Sequence, residues 1–104
     1  MTAQDVLRAD GNGRFRIDGA VTIESARTVL EAGIGLLPTG HGEVEIDLAG
    51  MTAFDSAALG VMFEWRRRTT SSGLRIRYAN LPPKLATLAS LYGVDALLTT
   101  AGDA

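Results

Sequence analysis

The sequence has no cysteine, so it carries no disulfide framework, no thiol nucleophile and no thiolate metal ligand. That fits a reducing compartment. Histidine occurs once, at position 41 between two glycines, where a solvated loop residue is the expected role. One imidazole and scattered carboxylates cannot supply the three or four ligands of a zinc or iron site, so no metal is expected. No apolar run approaches the roughly 18 residues of a membrane span, and residues 1–13 lack the basic-then-apolar pattern of a secretory signal. The expected location is the cytoplasm, with any membrane association indirect, through a complex at the inner face of the inner membrane. Excess positive charge is lacking too. The formal net charge is −2, and the one basic run, Arg66-Arg67-Arg68, closes a helix where cations suit the dipole, so no nucleic acid partner is expected.

Phosphate-cradling and nucleophile motifs are likewise missing. Gly33-Ile34-Gly35 falls at a helix end rather than after a strand, and Gly40-His41-Gly42 is not followed by Lys-Ser/Thr. Ser56 lacks the flanking glycines of a nucleophile elbow. The carboxylates Glu43, Glu45 and Asp47 read as the wet face of a strand opposite arginines, a solvated ion-pair face rather than an acid–base pair. No catalytic residue and no cofactor is expected, which leaves a binding module.

What is present is a chain of 104 residues, 46% hydrophobic and 21% charged, enough for one domain with its own core. Its organising stretch runs from Glu43 to Arg68. Val44, Ile46 and Leu48 alternate with Glu43, Glu45 and Asp47, the period of a strand with one apolar face. A turn is expected at Ala49-Gly50. From Ser56 the apolar residues Ala58, Leu59, Val61, Met62, Phe63 and Trp65 take a helical distribution, so the period change marks a strand-to-helix junction.

Elsewhere, residues 1–12 and 99–104 are expected to be loose, and residues 1–104 form a single domain. Phe15 and Ile17 alternate with Arg14 and Arg16, and Asp18-Gly19 reads as the turn of a hairpin whose second strand is Ala20–Thr22. Ile23, Ala26, Val29 and Leu30 predict a helix that fades at Gly33 and Gly35, with Thr22 and Ser25 available to cap it. Leu74, Ile76 and Tyr78 alternate with Arg75 and Arg77, giving a strand parallel to Glu43–Leu48 across the helical crossover. Leu85, Leu88 and Leu91-Tyr92 form the stripe of a final helix entered through Pro82-Pro83, with a further turn over Val94–Leu98. Parallel strands covered on both faces read as continuous apolar runs, whereas these keep one polar face. The expected fold class is therefore α/β: a small mixed sheet of about four strands with helices packed on one face, an acidic strand lying between basic ones.

At the junction, Ser56 stands where an N-cap belongs, and Asp55 places negative charge beside the positive end of the helix dipole. Capping and partner recognition are both open uses of this dipeptide. The apolar arc of the helix spans roughly 200°, wider than the roughly 100° that packing on a core requires. Either part of it docks a partner or the helix is wedged between neighbours.

The run ValGluIleAspLeu, then Phe54-Asp55-Ser56-Ala57-Ala58-Leu59-Gly60, a helix, a basic strand and a Leu-rich last helix resemble the STAS domain, over nearly the whole chain. The resemblance implies a STAS-like fold. In the anti-sigma factor antagonists of that family, the serine of an Asp-Ser-x-Gly-Leu motif is phosphorylated by a partner kinase; Ser56 occupies that position, Asp55 and Leu59 match beside it, and Ala58 stands where glycine is usual. Lys84–Val94 is similar to the Leu-Ala-x-Leu-Tyr ending of MlaB-type STAS subunits, which bind and stabilise the ATPase of Mla phospholipid-transport ABC complexes. The partner implied is an ABC transporter ATPase subunit or, alternatively, an anti-sigma factor kinase. The partner-binding residues expected on this resemblance are Asp55, Ser56, Ala57, Leu59, Phe63, Trp65 and Arg66, with Ser56 a candidate phosphorylation site.

Overall fold

A computed structural model describes residues 6–38 and 42–93. The chain opens with a hairpin in which β1 (Leu7–Gly11) pairs antiparallel with β2 (Arg14–Val21). Gly11, Asn12 and Gly13 turn it with φ of 84°, 56° and 76°, left-handed backbone that glycine and asparagine tolerate. Two expectations are corrected here. Leu7–Gly11 is a strand rather than a loose start, held because Val6 and Leu7 enter the core. The hairpin turns at Gly11–Gly13 and not at Asp18-Gly19, which lie inside β2. There the register against the next strand shifts on either side of them, so these turn-forming residues bend a strand instead of ending it.

Helix α1 (Ala26–Leu36) starts after Ser25 and runs through Gly33 and Gly35. The expected fading at those glycines is corrected by packing: a Cβ on Gly33 would overlap the Trp65 indole, so the glycine belongs to a helix contact. Strand β3 (Gly42–Phe54) extends six residues beyond the expected end at Leu48. Ala49-Gly50 is no turn. Gly50 pairs with Asp18, and a side chain there would collide with Asp18 and the Ile17 carbonyl, so the close approach of the bent β2 requires glycine.

Helix α2 (Ser56–Ser72), strand β4 (Leu74–Ala79) and helix α3 (Pro83–Leu91) follow. Leu85 and Ala89 of α3 are buried and Leu88 partly so, while Leu91 and Tyr92, expected in the same stripe, are exposed at 75% and 60%. Val94–Leu98 and the tail 99–104 lie outside the described residues.

The sheet order is β1-β2-β3-β4, with β2, β3 and β4 mutually parallel as expected for the β3–β4 unit. Two successive crossovers that step the same way with the same hand place α1 and α2 on one face. Phe15, Ile17, Val44, Ile46, Leu48, Leu74, Ile76 and Tyr78 point to that face and form one core with Val29, Leu59, Met62, Trp65 and Leu85. The opposite face is polar. Acidic β3 lies between basic neighbours, with Arg14 opposite Glu45, Arg16 opposite Asp47, Arg75 opposite Glu43 and Arg77 opposite Glu45.

Candidate functional site

The site is built where β3 ends and α2 begins. Asp55 leaves the strand in extended conformation, and its Oδ1 accepts the Ala57 N–H at 2.8 Å. Asp55 is therefore the N-cap, which corrects the expectation that Ser56 caps; the helix starts one residue earlier than that reading assumed. Ser56 is the first helical residue, exposed, and its hydroxyl forms no hydrogen bond to a described residue. The second Asp55 oxygen reaches across the fold: Oδ2 accepts the Ile23 N–H at 3.0 Å. One carboxylate thus fixes the helix start and ties it to the loop leading into α1.

That loop is held by its own bonds. Ser25 Oγ accepts the Thr22 N–H and donates to the Ala20 carbonyl, both at 3.0 Å, and the N–H groups of Ser25 and Ala26 donate to the Thr22 carbonyl. Ile23, expected in the buried stripe of the first helix, instead lies before the helix on this turn, 76% exposed.

Only part of the expected partner-binding set shares this surface. Asp55, Ser56 and Ala57 are together at the helix start. Leu59 and Trp65 are corrected to core residues, 3% and 1% exposed, with the Trp65 Nε1–H donating to the Leu30 carbonyl at 3.0 Å. The wide apolar arc of α2 is accounted for by burial against the sheet and helices on both sides. Phe63 is partly buried against the core. Arg66 is ten residues past Ser56, about 15 Å along the axis. Its guanidinium stacks 5.4 Å from the Tyr78 ring centroid and donates to the Ile76 carbonyl at 3.1 Å, on the edge strand β4. Burial pushes the Tyr78 phenol pKa up, against the opposing charge of Arg66, and its hydroxyl donates to the Met62 carbonyl at 2.7 Å. Arg66 is thus part of the packing between α2 and β4.

Beyond Arg66, Glu64 accepts from Arg67 and Arg68, which hold its carboxyl down to about 2. A cavity of about 130 Å³ lies toward the far ends of α1 and α2, lined by Gly33, Leu37, Trp65 and Thr69, away from Ser56. His41 lies outside the described residues. Among the described residues no group of three or more His, Cys, Asp or Glu is placed to hold a metal ion, and no helix is long and apolar enough to cross a membrane.

The family model described as "Mlab, STAS domain" matches residues 5–99. The chain is a STAS domain of this MlaB-like family. The four-stranded mixed sheet with three helices is the fold expected of it. STAS domains serve as protein-interaction modules. A crystal structure of Mglu is similar to this STAS chain with a TM-score of 0.60 and 24% identity, covering 81% of it. The native form of Mglu gives 0.51 and 18%, covering 75%. Both likenesses concern the fold alone, since the STAS chain spans only 21% and 24% of those chains. No curated protein matches it.

Within the STAS domain, the sequence placed Asp55 and Ser56 at this junction but assigned Ile23 to the first helix instead of to the turn bonded to Asp55. The signal available was local: Ile23 precedes Ser25, and a helix capped at Ser25 leaves Ile23 outside its periodic stripe.

Proposed function

We propose that this STAS domain is the accessory subunit that binds and stabilises the cytoplasmic ATPase of an Mla-type phospholipid-transport ABC complex, with no catalysis of its own. The observation that carries this reading is Ser56: an exposed hydroxyl, released from capping by Asp55, at the helix start of a chain whose family is described as Mlab. A free hydroxyl can hydrogen-bond a partner without costing the helix its cap. The chain would then reach the inner face of the membrane only through the transporter complex.

The test pairs the purified chain with the ATPase subunit of such a complex. Calorimetry should give saturable binding, and Ser56→Arg should abolish it while far-UV circular dichroism and the melting temperature stay unchanged. Absence of binding by the unaltered chain, or undiminished binding by Ser56→Arg, would overturn the proposal.

A second reading, an anti-sigma factor antagonist switched by phosphorylation of Ser56, is favoured by one feature. Ala58, standing where glycine is usual in that motif, is fully buried, so its methyl leaves the outer surface around Ser56 unaltered. A phosphate would add roughly −1.5 to −2 charge beside Asp55 and change that surface far more than the fold. Mass spectrometry of protein from native cells separates the two: a substantial phosphorylated fraction at Ser56 selects the switch, and unmodified Ser56 recovered with an ATPase selects the transporter subunit.

A further inference from the structure

Five large apolar side chains are exposed among the described residues: Ile23, Ile34, Leu36, Leu91 and Tyr92. Ile34 and Leu36 precede residues 39–41, and Leu91 and Tyr92 precede residue 94, segments outside the described structure. Ile23 adjoins no such segment, and it is the most exposed of the five at 76%. A lone exposed isoleucine is ordinary on a protein surface. What sets this one apart is how firmly it is held.

Its backbone N–H is bonded to the carboxylate that caps α2, and the turn around it is closed by Ser25 bonds to Thr22 and Ala20. A β-branched side chain adds its own stiffness at χ1. The result is an aliphatic group standing on a rigid tip beside the exposed Ser56. The core gains nothing from Ile23, and a turn tip held by backbone bonds does not call for an apolar side chain. A rigid, solvent-facing apolar group loses little conformational entropy when it is covered by a partner.

We propose that Ile23 is the apolar anchor of the Ser56 docking surface, inserting into a shallow apolar socket on the partner ATPase, and that Asp55 is the positioning residue that presents it. This rests on the reading of the Ser56 end as the ATPase-binding surface. Asp55 acts through its two oxygens separately. Oδ1 keeps the helix start and Oδ2 keeps the Ile23 turn in register with it. Asparagine has one acceptor oxygen, so Asp55→Asn can retain the cap while presenting an amide N–H₂ to the Ile23 N–H, which removes the link.

The experiment uses the full chain and the purified ATPase subunit as probe, with four variants measured by calorimetry and by amide hydrogen exchange. Ile23→Ala should weaken Kd roughly 30-fold or more, the loss typical of a central anchor, with an unchanged melting temperature. Ile23→Leu should restore most of the affinity. Asp55→Asn should lower affinity and, in the free chain, speed exchange of the Ile23 amide while the Ala57 amide stays protected. Ser56→Arg reports on the surface itself. If Ser56→Arg abolishes binding and Ile23→Ala leaves it within about twofold, the docking surface stands and the anchor is wrong. If the unaltered chain does not bind, or if neither substitution affects binding, both readings fall. Unchanged Ile23 exchange in Asp55→Asn would overturn the positioning role independently of any partner.

Discussion

At the scale of single residues, the informative result is the division of labour between Asp55 and Ser56. Both residue types cap helices well. Neighbouring positions at a period change are indistinguishable to sequence reasoning, because a shift of one residue exchanges cap and first helical residue without altering the apolar pattern. Coordinates separate them through the Ala57 N–H, which donates to Asp55. The consequence is a reversal of the expected mutational ranking. Ser56→Ala should change stability by no more than about 0.5 kcal/mol, as for an unengaged surface side chain. Asp55→Ala should cost about 1–2 kcal/mol, since it removes the cap, the charge favourable to the dipole and the acceptor for Ile23. Urea denaturation of both variants checks this; a costly Ser56→Ala beside a silent Asp55→Ala would return the cap to Ser56. The Asp55–Ile23 bond itself spans 32 positions and leaves no local trace in the sequence.

At the scale of elements, α2 explains why an apolar arc of roughly twice the minimum width signals neither error nor exposure. The helix packs against α1, β4 and α3, so three neighbours cover it, and only positions such as Ser56, Gly60, Arg67 and Arg68 remain exposed. Its two glycine relationships have opposite signs. Gly60 is exposed mid-helix, and a Cβ there meets nothing within 4 Å. Gly60→Ala should therefore stabilise the chain by about 0.5–1 kcal/mol through helix propensity and a less flexible unfolded state. Gly33 in α1 faces Trp65, and a methyl there displaces the indole from its bond to the Leu30 carbonyl. Gly33→Ala should lower stability by about 1–3 kcal/mol, the range for overpacking, and shift the emission of the single tryptophan. Thermal melts with fluorescence detection test both. Equal effects at the two glycines would mean that propensity alone governs them, and the packing account of α1 running through Gly33 would fail.

For the whole molecule, what was legible in the sequence was whatever alternates: the apolar rows of β2, β3 and β4, the one-sided sheet, the parallel crossover, and the acidic strand between basic ones. What was not legible depends on strand partners. β3 continues past Ala49-Gly50, and β2 through Asp18-Gly19, only because each supplies the other with a bent neighbour, and turn-forming residues in isolation read as ends. The wet face offers a prediction that spans the sheet. Across it Arg14, Glu45 and Arg77 stand abreast on three adjacent strands, and Glu45 pairs with Arg77. Opposite charges in directly facing positions contribute roughly 0.2–1 kcal/mol, and like charges there destabilise. Glu45→Gln should consequently cost less than about 1 kcal/mol. Glu45→Arg sets three guanidinium groups in one row and should cost more, by an amount that shrinks as salt rises from roughly 0.05 M to roughly 0.5 M and the Debye length shortens. Adding Arg77→Glu to Glu45→Arg should recover part of the loss, a coupling that a double-mutant cycle isolates. A cost for Glu45→Arg that salt does not change, with no recovery in the double variant, would show that side-chain packing rather than charge holds this face, and the charge pattern read across the strands would lose its physical meaning.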